Sequence, residues 1–222
     1  MAFDYPVMLE LAGRRCVVIG EQAVREGKVE GLIAAGAGHI SVIASRPGRR
    51  LEDLERQHPS IVKVERRAWV PTDLDGAFLV IASDASGAAR DRIALEARRR
   101  GALVNVMDDV PNCDWAAPAV VRRGDLVLAI ATGGRSPALA SRLREQLSDR
   151  YGPEWEEIVS ILGEVRDLTF DWFDGQSERA GAWAHALDLD EAAELVDQGR
   201  SDELKTRLLA RLRSDEPQEA VT

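Results

Sequence analysis

Cys16-Val17-Val18-Ile19-Gly20, followed by Glu21-Gln22-Ala23-Val24-Arg25, decides the fold. A short β-branched run stopped by glycine reads as a buried strand, and residues 23–35, closed by Gly36, fit the helix that follows it. The unit recurs along the chain. Residues 39–44 read as a strand, 51–57 as a short helix, 61–65 and 78–82 as strands, 88–100 as a helix and 102–106 as a strand. Strands alternating with helices imply a parallel sheet covered on both faces. The fold class expected is therefore α/β, a Rossmann-like doubly wound parallel sheet, with a dinucleotide-binding domain over residues 1–113.

Beyond Cys113 the rhythm changes. Residues 117–121 and 126–131 read as two strands joined by Arg122-Arg123-Gly124-Asp125, a spacing that suits a hairpin. Residues 136–150 then form a helix with Leu139, Leu143 and Leu147 on one side, which completes a segment of two strands and a helix over residues 114–151. From Pro153 the pattern is helical. Trp155, Ile158, Ile161, Leu162 and Val165 make one apolar face, and Leu204, Leu208, Leu209 and Leu212 make another. A helical domain is thus expected over 152–213, with a polar, frayed tail over 214–222.

The composition, 45% hydrophobic and 30% charged over 222 residues, is that of an ordinary globular chain. With 29 basic against 38 acidic residues the net charge is -9, which argues against a nucleic-acid partner. An anionic ligand would need arginines placed locally. No apolar run is long enough to span a bilayer, and no basic stretch precedes an apolar one at the N-terminus, so a cytoplasmic protein without a membrane partner is expected. Cys16 and Cys113 read as reduced thiols, and His39, His58 and His185 are scattered, so no metal site is expected.

Two stretches carry chemistry. Val104-Asn105-Val106-Met107-Asp108-Asp109 places a carboxylate at the C-terminal end of a strand, where open α/β sheets bind ligands. Thr132-Gly133-Gly134-Arg135-Ser136-Pro137 reads as a tight loop opening a helix, with Ser136 as N-cap and Pro137 as the first helical residue. A helix start of that kind can receive an anionic group. The first turn is less complete as a dinucleotide fingerprint, which needs glycine at the turn, glycine at the pyrophosphate and a small residue at the helix–strand contact. Gly20 meets the first need, whereas Glu21, Gln22 and Arg25 stand where the others belong. The second strand ends in Ala44-Ser45-Arg46 with no acid for a ribose hydroxyl, and Arg46 could meet a 2′-phosphate instead. On these residues alone, a turn that binds nothing is as good a reading as a cofactor site.

Taken together, Tyr5-Pro6, Lys28, residues 32–37 and 73–82, Asn105-Val106-Met107-Asp108, Cys113-Asp114, Pro118 and residues 132–140 resemble the precorrin-2 dehydrogenase family, which includes the N-terminal half of siroheme synthases. The resemblance covers about two thirds of the chain. It implies NAD-dependent oxidation of precorrin-2 to sirohydrochlorin, with ferrous iron (Fe2+) inserted as a substrate by some members; NADP in place of NAD stays open. It also implies a homodimer, with residues 114–151 as the dimerisation segment. The family's Asn-Val-x-Asp aspartate corresponds to Asp108 as general acid/base, and Asn105 would orient the loop or the substrate. Cofactor binding would fall to Gly20, Glu21, Gln22, Ala23, Val24, Ser45, Ala82 and Ser83. The anionic tetrapyrrole would fall to Thr132, Gly133, Gly134, Arg135 and Ser136, with Arg122, Arg123 and Arg142 as further candidates for its carboxylates. The family usually has glycines where Glu21 and Gln22 stand, Arg where Gly27 stands, and a Thr-Asp pair with a following Asn where Asp84-Ala85 and Arg90 occur. Two alternatives stay open: a metal chelatase without dehydrogenase activity, and a non-catalytic tetrapyrrole- or nucleotide-binding regulatory module.

Overall fold

In the computed structural model, which describes residues 5–83 and 86–214, five short apolar runs pair into one parallel sheet. They are β1 (Arg15–Ile19), β2 (His39–Ile43), β3 (Val62–Glu65), β4 (Leu79–Ala82) and β5 (Leu103–Val106), in the order β3-β2-β1-β4-β5. A sheet covered on both faces cannot alternate apolar with polar residues, and every residue of β4 and all of β1 after Arg15 are buried. Cys16, Val18, Ile40, Val42 and Ile81 pack on one face, and Val17, Ile19, Val80, Val104 and Val106 on the other. The strand order reverses between β1 and β4, which makes their carboxyl ends the topological switch point. The α/β doubly wound architecture is as the sequence implies.

The single helix expected over 23–35 is two. The first, α1 (Glu21–Arg25), stops where Gly27 takes a left-handed backbone (φ 74°, ψ 20°), and α2 (Lys28–Ala34) starts after it. Only glycine adopts that conformation at no steric cost, so the break belongs to this residue. α3 (Arg49–Gln57) and α4 (Gly87–Arg99) follow as expected. The outer edge of β5 is closed by the returning chain. The Val104 N–H donates to Asp114 Oδ2 (3.1 Å), the Asp114 N–H to the Val104 carbonyl (2.7 Å) and the Val106 N–H to Cys113 Sγ (3.2 Å). Those bonds remove an open edge that would otherwise invite a foreign strand.

The chain divides into two compact units, Met1–Ala117 and Pro118–Thr222. In the second, β6 (Ala119–Arg123) pairs antiparallel with β7 (Leu126–Ile130), Arg123 facing Leu126 across a turn in which Gly124 has φ 53°. α5 (Pro137–Arg150) follows. Then α6 (Glu154–Leu168), α7 (Gln176–Ala186), α8 (Leu189–Asp197) and α9 (Ser201–Ser214) enclose a core that includes Trp155, Ile158, Val165, Leu195, Leu208 and Leu212. Trp172 and Trp183 pack against that core. Of the tail expected over 214–222, residues 215–222 lie outside the described residues, as do Asp84 and Ala85.

Candidate active site

At the switch point, the end of β1 is held from both sides. The Gly20 N–H donates to the Ile43 carbonyl (3.0 Å) and the Ser83 N–H to the Ile19 carbonyl (2.7 Å). The Ser83 hydroxyl accepts from the Ala23 N–H (3.0 Å), satisfying one of the orphan donors at the start of α1. Gly20 has φ 95°, and a Cβ there would stand 2.5 Å from Ser83 Oγ, so no other residue fits. Ala23, Val24, Ala82 and Ser83 are buried, Glu21 and Gln22 half-buried, and Ser45 exposed. Of the residues assigned to the cofactor, the buried ones therefore shape the edge, while Glu21, Gln22 and Ser45 present side chains to it.

A concavity of about 240 Å³ opens beside this edge, lined by Glu21, Val24, Arg25, Gly48, Arg50 and Leu51. Arg50 is ion-paired with Glu30 (2.5 Å) and Arg25 stands opposite Glu21, and the volume suits part of a dinucleotide rather than the whole. The residues present fit the sugar-phosphate portion of a nicotinamide dinucleotide. Gly48 and Arg50 escaped sequence reasoning, because nothing local marks residues 25 and 50 as neighbours.

Asp108 stands on the same edge, just past β5. The Met107 N–H donates to the Ala82 carbonyl (2.8 Å), carrying the β4–β5 pairing one residue beyond the strand, and the Asp109 N–H closes a turn on the Val106 carbonyl (3.1 Å). Between them Asp108 is exposed with φ 60°, the one non-glycine residue among those described with a left-handed backbone. Aspartate tolerates that region better than most residues, and such conformations gather at functional sites. Asp109 is a turn residue: its carboxylate accepts from Asn112 Nδ2 (3.0 Å). Half-buried Asn105 donates from Nδ2 to the Trp115 carbonyl (2.8 Å), so its amide is engaged with the loop after Cys113. Burial, first, and the neighbouring Asp109 and Asp114 carboxylates push the Cys113 thiol above the usual range, and burial takes Cys16 up to about 11. Both stay protonated at neutral pH and are poor nucleophiles.

The second stretch lies in the second unit. Thr132 Oγ1 accepts from the Ser136 N–H and donates to the Ser136 carbonyl (3.2 Å each), and the Arg135 N–H donates to the Thr132 carbonyl (3.1 Å). Gly133 (φ 60°) and Gly134 (φ 75°) supply the positive φ values that this loop requires. Ser136 Oγ accepts from the Leu139 N–H (3.2 Å), the N-cap read from the sequence. Gly133, Gly134 and Arg135 are exposed, and Thr132 and Ser136 half-buried. Two candidate arginines are otherwise engaged: Arg123 donates to the Ser148 carbonyl (3.1 Å) and hydroxyl (2.9 Å), and Arg142 lies 3.5 Å from Glu145. The cofactor-side residues and Asp108 thus share one sheet edge of the first unit, while residues 132–136 belong to the second.

Residues 7–119 match the family model described as "Putative NAD(P)-binding", and residues 123–150 match "Sirohaem biosynthesis protein central". The chain is 30% identical, over 93% of its length, to the siroheme synthase of Methylococcus capsulatus, and 32% identical, over 95%, to that of Nitrosospira multiformis. It spans 43% and 44% of those two proteins. Among solved structures it is similar to SirC, a precorrin-2 dehydrogenase, with a TM-score of 0.68 over 95% of this chain and 100% of that one, at 24% identity. That likeness is one of fold.

Proposed function

Because the chain belongs to the NAD(P)-binding family of siroheme synthase relatives, we propose that it oxidises precorrin-2 to sirohydrochlorin in siroheme biosynthesis, with NAD as the expected hydride acceptor. The observation that carries this reading is Asp108, an exposed carboxylate on a left-handed backbone, placed one strand from the Gly20–Ser83 switch point on the same sheet edge.

The oxidation removes one hydride and one proton from the macrocycle as a carbon–carbon double bond forms. A nicotinamide dinucleotide, when bound, supplies the acceptor for the hydride. Gly20 and Ser83 would support it at the edge they shape, and Arg25, with Arg50 beside it, would supply the cationic side chains for its phosphates. Asp108 takes the proton, a contribution worth about 10²–10⁴ in rate for a well-placed base. Asn105 is a positioning residue, since its amide holds the loop that follows Cys113. Arg135, exposed and in no ion pair among the described residues, supplies a cation for a substrate carboxylate. The Asp108 carboxylate would also take the pyrrole protons displaced by ferrous iron, which extends the proposal to chelation with iron as substrate. A cytoplasmic homodimer is part of the same proposal; among the described residues no helix is long and apolar enough to cross a membrane.

Purified protein given precorrin-2 and either NAD+ or NADP+ should yield sirohydrochlorin and reduced nicotinamide in equal amounts, followed by absorbance. Formation of neither product with either dinucleotide would end the dehydrogenase reading.

A further inference from the structure

We infer that the Cys113 thiol is a positioning residue for the Asp108 carboxylate, holding together the turn that carries it. Its role rests on the dehydrogenase reading, in which Asp108 is the base. The Asp109 N–H closes that turn on the Val106 carbonyl (3.1 Å), with Met107 and Asp108 as the central residues. Asp108 is the second of these and has φ 60°, a conformation that glycine usually supplies at that place in a turn. With aspartate there, a left-handed backbone persists only where its surroundings over-determine it. Asp108 is exposed, so the packing of its own side chain does not do the holding.

Cys113 supplies the hold. Its half-buried Sγ accepts from the Val106 N–H (3.2 Å) and lies within donating distance of the Val106 carbonyl (3.1 Å) and the Asp109 carbonyl (3.3 Å). The first and last residues of the turn are thus tied to one atom, and Asp108 is carried between them. Burial raises the thiol above its usual range, so at neutral pH it keeps the hydrogen that these carbonyls accept. The sulfur is itself fixed in place. The Cys113 N–H donates to the Val110 carbonyl (3.1 Å), and the side chain packs against the core that includes Val104 and Val106. The next residue, Asp114, is bound to Val104 through its N–H (2.7 Å) and its carboxylate (3.1 Å) and to Arg98 at 2.8 Å. Alanine at 113 would take away the partner of the Val106 N–H and leave the two ends of the turn tied only by their backbone. Serine would keep one donor and one acceptor in nearly the same place.

Kinetics of precorrin-2 oxidation by the full chain, measured in two backgrounds, test this. With Asp108 present, Cys113→Ala should lower kcat about tenfold or more while the KM for precorrin-2 and the dinucleotide affinity stay within about twofold, because a small displacement of a base costs rate rather than binding. Cys113→Ser should restore kcat to within about threefold of the parent. In the Asp108→Asn background, adding Cys113→Ala should change kcat by less than about twofold, since a residue that acts through Asp108 has nothing left to position. A cysteine needed only for the fold would cost the same factor in both backgrounds. Should Cys113→Ala melt below the assay temperature, Cys113→Val, which refills the space without the hydrogen bonds, takes its place in both. A parent-like kcat in the alanine or valine variant, or an equal loss in both backgrounds, overturns the positioning role while the dehydrogenase reading stands. If the parent oxidises no precorrin-2 with either dinucleotide, both fail.

Discussion

Asp108 shows what a residue can disclose in a sequence and what it withholds. Its place at the end of a strand was legible from Val104-Asn105-Val106-Met107-Asp108, because a β-branched run stopped by acids is a strand signal. Its left-handed backbone (φ 60°) was not, since that region is marked in sequence by glycine, and aspartate is only a tolerated occupant. Its two roles, one of shape and one of chemistry, can be separated. Asp108→Asn preserves a side chain that accepts left-handed geometry and removes the base, so it should lower the rate of precorrin-2 oxidation by about 10²–10⁴ with the melting temperature nearly unchanged. Asp108→Ala should lose the same activity and, in addition, about 1–2 kcal/mol of stability in denaturant unfolding. Full activity in the Asn variant would remove Asp108 from the mechanism. Gly20 is the converse case: its identity was legible as a turn glycine, but the reason no other residue fits is Ser83, which lies 63 positions away in sequence.

Among elements, the five strands were legible because each is a short apolar run, with boundaries within a residue or two of those observed. The break between α1 and α2 was hidden, since Glu26-Gly27-Lys28 interrupts an apolar period that continues on both sides. Pairing across long separations was hidden too, as in the closure of β5 by Cys113 and Asp114 and the capping of α1 by Ser83. The 3-10 turn Pro71–Leu74 that leads toward β4 is another such case. Buried Asp73 accepts from the Val70 N–H (2.8 Å) and from both terminal nitrogens of Arg67 (2.8 and 2.6 Å). The hydrogen-bonded Arg67 guanidinium holds its carboxyl below the usual carboxylate range. A carboxyl whose folded value is depressed contributes stability that is complete above the unfolded value, about 3.9, and is lost as pH falls through the folded one. Asp73→Asn should therefore cost about 1–3 kcal/mol at neutral pH, with the gap to the parent closing as the pH drops below about 4. Urea unfolding at pH 7 and pH 3 measures both. A gap as wide at pH 3 as at pH 7 would show that the ion pair is not its source.

For the whole molecule, the informative fact is how little of the segment after Pro118 is buried. The 14-residue α5 has no buried residue, β7 has none, and β6 has only Val121. Val120 is 39% exposed and Leu139 50%, with Leu143, Leu147, Val127 and Leu128 half-buried. A two-stranded hairpin is marginal alone in water, and one helix laid beside it does not hide so many apolar side chains. A second copy of the same segment is the economical cover: a two-fold interface is self-complementary, so one apolar surface serves both partners. Sedimentation equilibrium should give twice the 24.3 kDa chain mass at roughly ten micromolar, within reach of an ordinary dimer interface. Val120→Glu combined with Leu139→Glu should return the monomer mass with an unchanged far-ultraviolet dichroism spectrum, because neither side chain is needed by the core of its own chain. Nucleotide affinity in that monomer should match the parent, since Gly20 and Ser83 belong to the first unit. A parent chain that sediments at 24.3 kDa at that concentration would overturn the dimer and leave the apolar surface to a different partner.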